Sequence, residues 1–147
     1  MTQVSRYPLS KDIEKRVFEI FLDAVAGVQT SEEVNIFIED LLSPTERVML
    51  SKRLSIAFLL NKGYEQRLIC QILRVSLGTV NKVNSSLKAK GEGYTRVIEK
   101  IKGKEKLEDF WGKVDEFLND ILPPKGQNWK ALRINNEIDK RKRRKAF

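Results

Sequence analysis

The chain of 147 residues contains no histidine and a single cysteine. The lack of histidine removes the usual general base, the usual zinc ligand and every Ser-His or Cys-His nucleophile. One cysteine permits neither an internal disulfide nor a cysteine metal cluster. Carboxylates remain, but Glu32/Glu33 and Glu39/Asp40 are chain neighbours, and neighbours on a helix point to different faces. They read as solvated helix-start and helix-surface groups. Glycine is sparse and forms no phosphate-cradling loop; Gly91-Glu92-Gly93 follows a helix rather than a strand. No apolar run is long enough to span a bilayer. The start, MTQVSRYPLSKD, lacks the continuous apolar stretch of a secretory signal. The expectation is a cytoplasmic protein that is not an enzyme and holds no metal or cofactor.

What the chain does have is positive charge, unevenly placed. Its formal net charge is +8. Residues 1–43 hold 4 basic and 8 acidic side chains, residues 44–102 hold 12 and 4, residues 103–139 hold 6 and 8, and the last eight hold 6 and none. The middle of the chain and its end are therefore the basic parts. A basic region concentrated in this way is an electrostatic footprint for nucleic acid. The length suits one domain with a real core, or one domain plus an appendage.

Helical periodicity runs through the whole chain, with no convincing strand, so the fold class is all-α. Ile13, Val17, Ile20, Phe21, Ala24, Val25 and Val28 form the broad apolar face of a first helix, after a loose arm of ten residues. Thr30-Ser31-Glu32-Glu33 is a capping box for a second, whose face is Val34, Phe37, Ile38, Leu41 and Leu42. Ser43-Pro44-Thr45-Glu46 starts a third helix with a capping serine, a proline at the first helical position and a glutamate behind it; Gly63 stops it. Leu54 through Leu60 is apolar all round except at Ser55 and must be covered on every side. A partner subunit would provide that cover, with the first two helices as arms around it; so would a monomeric core that uses the C-terminal extension.

Gln66 to Lys88 reads as two short helices joined by a tight turn, the shape of a helix-turn-helix. Leu68, Ile69, Ile72 and Leu73 carry the first helix, and the small Cys70 stands where the two backbones must approach. Arg74-Val75-Ser76 is the turn, with Arg74 where glycine is usual. Ser76 caps the second helix, and Val80, Val83 and Leu87 give it a buried face. Its other face, Gly78, Thr79, Asn81, Lys82, Asn84 and Ser85, is small, polar and basic, with no acid. Such groups can donate to base edges and phosphates. By pattern alone, an ordinary helical hairpin inside an all-α core fits equally well. Beyond it, Gly91-Glu92-Gly93 breaks the chain, and Tyr94, Val97, Ile98 and Ile101 mark a short helix. Lys102-Gly103-Lys104 is a boundary. Leu107, Phe110, Trp111, Val114, Phe117, Leu118 and Ile121 form an amphipathic helix ended by Pro123-Pro124. A last helix from about Asn128, with Trp129, Leu132 and Ile138, runs into the basic Lys140–Lys145.

Residues 11 to 102 resemble the Trp repressor superfamily. The landmarks are Leu42-Ser43-Pro44-Thr45-Glu46-Arg47, Arg53, Gly63, Gln66-Arg67, Thr79 and Asn84-Ser85-Ser86-Leu87-Lys88. Ser86-Leu87-Lys88 through Gly91-Glu92-Gly93-Tyr94 is similar to the YerC/YecD-type branch of Trp repressor-related proteins. The resemblance implies an intertwined all-helical homodimer that represses transcription, each subunit placing its second motif helix in one of two successive major grooves, the docking for which the Trp repressor is a standing example. It also implies a corepressor pocket. Ser43 stands where that pocket has a threonine, Arg53 matches an arginine that flanks the indole, and Ser86 matches a serine near the ligand's amino group. Lys82 stands in place of the second flanking arginine, and a lysine stacks poorly on an indole. Tryptophan sensing is therefore not expected.

The domain boundaries expected are 1–102 for the helix-turn-helix domain and 103–147 for a helical extension with a basic tail. Leu77, Gly78 and Thr79 are the candidates for base contacts. Gln66, Arg67, Ser76, Asn81, Lys82 and Ser85 are candidates for phosphate or base-edge contacts, and Ser43, Arg53, Lys82 and Ser86 for an effector. The partner expected is double-stranded DNA, read by a homodimer. Two other classes remain open: a nonspecific nucleic-acid binder that relies on the basic tail, and a helical adaptor that turns the motif toward protein.

Overall fold

The computed structural model describes residues 6–121. Seven helices account for them: α1 (Lys11–Gly27), α2 (Ser31–Leu41), α3 (Pro44–Asn61), α4 (Gln66–Leu73), α5 (Leu77–Lys90), α6 (Glu92–Ile101) and α7 (Glu105–Ile121). Among the described residues there is no strand, so the protein is all-α. The chain divides into two compact units that meet between Val48 and Met49, inside α3.

The first unit holds α1, α2 and the opening turn of α3. Its helix starts are fixed locally. Thr30 Oγ1 accepts the Glu33 N–H at 3.2 Å while the Glu33 carboxylate accepts the N–H of Thr30, the two halves of a capping box. Ser43 Oγ accepts the Glu46 N–H at 3.3 Å, and Glu46 Oε2 accepts the N–H and the hydroxyl of Ser43, each at 2.8 Å. Neither α1 nor α2 contains a buried residue. The apolar side chains of α1, from Ile13 through Val25, stand exposed, with Phe18 and Phe21 side by side.

The second unit has a single apolar core. Ile56, Ala57 and Leu59 of α3, Tyr64, Ile69 of α4, Val80 and Val83 of α5, and Val114 and Leu118 of α7 are buried together. Leu68, Ile72, Phe110 and Trp111 pack against that cluster, half-buried. The cover over the apolar second half of α3 thus comes from this chain, including its C-terminal extension. A partner subunit is not needed for Ile56 to Leu59. The apolar surface left over lies instead on α1, on α2 and on the front of α3, at Val48, Met49, Leu50 and Leu54.

The corner between α3 and α4 follows from one glycine. Gly63 has φ 90°, a left-handed value that only glycine adopts without cost. Its N–H donates to the Leu60 carbonyl and the Tyr64 N–H reaches back to the Leu59 carbonyl, both at 3.0 Å. This is a Schellman ending, and Tyr64 and Leu59 make the apolar contact that accompanies it. After α5 the chain departs from the expected three-residue break. Gly91 alone interrupts the helices, and Glu92 and Gly93 already belong to α6. The physical reason is that a Cβ at position 91 would collide with the Leu87 carbonyl, so one residue without a side chain makes the break by itself. The expected last helix from Asn128 and the basic run at Lys140–Lys145 lie outside the described residues.

Candidate nucleic-acid interface

The helix-turn-helix is built as a strained but well-capped unit. Arg74 ends α4 at φ 52°, ψ 56°, a left-handed conformation that costs a residue with a Cβ about 1–2 kcal/mol. Two N–H groups, those of Arg74 and Val75, converge on the Cys70 carbonyl. The carbonyl of Arg74 accepts a hydrogen bond from Lys52 Nζ of α3 at 3.4 Å. Lys52 was not among the residues singled out from the sequence, since nothing in a separation of 22 residues marks the contact. Ser76 then caps α5: its Oγ accepts the Thr79 N–H at 3.2 Å and shares a hydrogen bond with Thr79 Oγ1 at 3.0 Å.

α5 is two-faced in the way the pattern indicated. Val80 and Val83 are buried in the core and Leu87 packs against it. Leu77, Gly78, Thr79, Asn81, Lys82 and Ser85 are exposed, and Asn84 is half-buried. Thr79 and Lys82 are open to solvent rather than enclosed by the protein. The nine candidates for DNA contact lie together on α4, the turn and α5. Gln66 is half-buried; Arg67 and Ser76 are exposed. The stretch from Gln66 to Lys90 carries Arg67, Arg74, Lys82, Lys88 and Lys90 and no acid, so a polyanion approaching it meets no like charge.

Gly78 stands out on this surface. Its φ is not in the left-handed region, and a Cβ there would meet only Ser76 Oγ, at 3.9 Å, an ordinary contact. The fold therefore makes no demand for glycine at a position where it weakens the helix.

The effector candidates lie just before α3, on α3 and on α5. The Ser43 hydroxyl is already committed to Glu46 at the start of α3. Arg53 is exposed on α3, and Lys82 and Ser86 are exposed on α5. Among the described residues no hydrogen bond joins Arg53, Lys82 and Ser86 to one another, and no group of three or more acidic or cysteine side chains is placed to hold a metal ion. No helix there is long and apolar enough to cross a membrane.

Residues 16–102 match the family model of the Trp repressor protein. The chain belongs to the Trp repressor family. Two solved structures have the same architecture. A TrpR-like protein from Eubacterium eligens ATCC 27750 is 26% identical with a TM-score of 0.58, over 65% of this chain and 99% of that one. A candidate Trp repressor from Staphylococcus aureus is 29% identical with a TM-score of 0.56, over 63% and 95%. No curated protein matches in sequence. Members of the Trp repressor family are in general helix-turn-helix regulators that bind DNA and are not enzymes. The family match begins within α1 and ends at Lys102, before α7. Both related structures are matched nearly end to end while about a third of this chain stays outside the match. The family model therefore stops short of α7.

Proposed function

We propose that this protein is a sequence-specific transcriptional regulator, a cytoplasmic repressor that places the first turns of α5 in the DNA major groove. The observation that carries the reading is the split character of α5. Val80 and Val83 anchor one side in the core, while Gly78, Thr79, Asn81, Lys82 and Ser85 form an exposed, acid-free side. Leu77 can meet a thymine methyl, and Thr79 can hydrogen-bond a base edge. Arg67, Lys82 and Ser85 can hold phosphates, and Gln66, Asn81 and Ser76 lie beside them.

The working form in this reading is a homodimer. The exposed apolar run of α1, from Ile13 through Val25, has no cover of its own, and a monomer in water rarely leaves so much contiguous apolar surface open. A second copy offers the complementary surface. Sedimentation of the purified chain tests this: a monomer at micromolar concentration would overturn it.

Tryptophan is not an effector in this reading. The Ser43 hydroxyl is already occupied by Glu46, and Lys82 presents a point charge where an indole would need a stacking plane. Calorimetric titration with L-tryptophan should give no heat of binding.

Selection of random duplexes by the purified protein tests the function itself. Specific regulation gives an enriched near-palindrome with half-sites about one helical turn apart. Retention without a consensus would mean nonspecific binding through basic segments, and no retention would mean that the motif serves protein contacts.

A further inference from the structure

α7 lies beyond the part of the chain that the family defines, yet its residues are among the most completely buried. Val114 is 3% exposed and Leu118 not at all. Both sit in the cluster that holds Ile69 of α4 and Val80 and Val83 of α5. A helix added at the periphery of a finished domain would not reach that cluster. The domain is instead completed by it.

The attachment is also specific. Trp111 stacks on Tyr64 with ring centroids 6.3 Å apart and planes 2° from parallel. Lys62 Nζ lies over the Trp111 ring, 4.1 Å from its centroid. Lys62, Gly63, Tyr64 and Glu65 make the corner between α3 and the helix-turn-helix, and Gly63 is its left-handed pivot. One side chain of α7 thus holds both residues that flank the pivot. Stacking and cation–π contacts of this kind have defined geometry as well as energy, so they restrict an angle and do not merely add burial.

We propose that α7 is a brace that sets the angle of the α4–α5 pair against α3, with Trp111 as its positioning residue. In this proposal the brace acts on recognition through the corner and not by touching DNA. Its outward residues support that division. Glu105, Glu108, Asp109, Glu116 and Asp120 are exposed, and such acids would repel a duplex if α7 met one. A protein that must present two reading heads at a fixed spacing gains specificity from a stiff corner, because a head that swings binds many sequences equally poorly.

Hydrogen exchange on the full chain tests the brace without any DNA. Trp111→Ala and Lys62→Met should each speed amide exchange in residues 66–90 by about three- to tenfold, given the strength of such contacts. Exchange at Ile56, Ala57 and Leu59 in α3 should stay unchanged. Acceleration of α3 in step with α4 and α5, or of none of them, would overturn the proposal, because the contacts would then serve bulk stability or nothing. Lys62→Met removes the cation and keeps the stem, so it stands in if Trp111→Ala fails to fold. A second arm rests on the regulatory reading above: with the duplex selected there, both variants should lower specific affinity while leaving affinity for a scrambled duplex unchanged. Equal loss on both duplexes would overturn the brace. Lack of binding by the unaltered chain would sink the regulatory reading alone, and the exchange result would stand.

Discussion

Lys52 Nζ donates to the carbonyl of Arg74, from one helix to the turn of another, across 22 residues of sequence. Arg74 is the only residue other than glycine with a positive φ among the described residues. The chain thus keeps a strained turn and supports it from outside with a charge-assisted hydrogen bond. Two effects set the outcome of Arg74→Gly. Relief of left-handed strain is worth about 1–2 kcal/mol, and the freer unfolded chain takes back about 0.5–1 kcal/mol. The variant should therefore be more stable by up to about 1.5 kcal/mol, read as a higher urea midpoint. Lys52→Met should shift the midpoint the other way, by less than about 1.5 kcal/mol, because this hydrogen bond is long at 3.4 Å and exposed to solvent.

Gly78→Ala separates folding from function. Space is open for the new methyl, and alanine favours a helix over glycine by up to about 1 kcal/mol. The melting temperature should rise. Affinity for the selected duplex should fall, because a methyl now holds the backbone off the groove. A variant that both melts higher and binds as before would show that Gly78 is not at the interface.

Lys82→Ala removes a charge from the exposed side of α5. Binding to all duplexes should weaken alike, and the slope of log K against log salt should flatten by about one. A change in sequence preference with an unchanged slope would place Lys82 on a base instead of a phosphate. Thr79→Ala should give the opposite signature, an altered consensus with the same slope.

Gly91→Ala should be costly. The added Cβ would press on the Leu87 carbonyl, a backbone atom that cannot move aside. Overpacking of this kind costs about 1–3 kcal/mol, and the joint between α5 and α6 would open to relieve it. Circular dichroism on heating should show the loss, and Gly93→Ala, where a Cβ meets nothing within 4 Å, should not show it.

Two glutamates predict the response to acid. Backbone hydrogen bonds from Gln29 and Thr30 hold Glu33 below the ordinary glutamate value, and those from the backbone and side chain of Ser43 do the same for Glu46. A carboxyl lowered in the folded state adds stability that is fully present above its unfolded value. That stability is lost as pH falls through the folded value. Both capping boxes should therefore weaken below about pH 4.5, the ordinary value. Glu33→Gln with Glu46→Gln removes both titrating carboxyls and should flatten the pH dependence of unfolding in that window. An unchanged profile would mean that these caps contribute nothing measurable.

Much of this was legible in the residues themselves. Thr30 and Glu33, Ser43 and Glu46, and Ser76 and Thr79 signal their helix starts because a cap needs only partners three residues apart. Gly63 signals a stop because its backbone freedom is a property of one residue. The exposed and buried sides of α5 follow from a 3.6-residue period. The break after α5 was read too long because glycine marks a turn and does not say how many residues take part. The assignment of cover for the second half of α3 stayed open, since a run that is apolar all round says that it must be enclosed and not by what.

The sequence by itself determined the helices, their caps and the side of α5 that carries no acid, since each depends on residues within about one turn of one another. Only the tertiary structure decided that Trp111 clasps Lys62 and Tyr64, that Lys52 supports Arg74, and that α7 completes the core. Those contacts join positions 22 to about 50 residues apart, and no local pattern encodes a distant partner. They arise where packing brings the elements together, because burying Val114 and Leu118 with Ile69 and Val80 removes apolar surface from water that no single helix could hide.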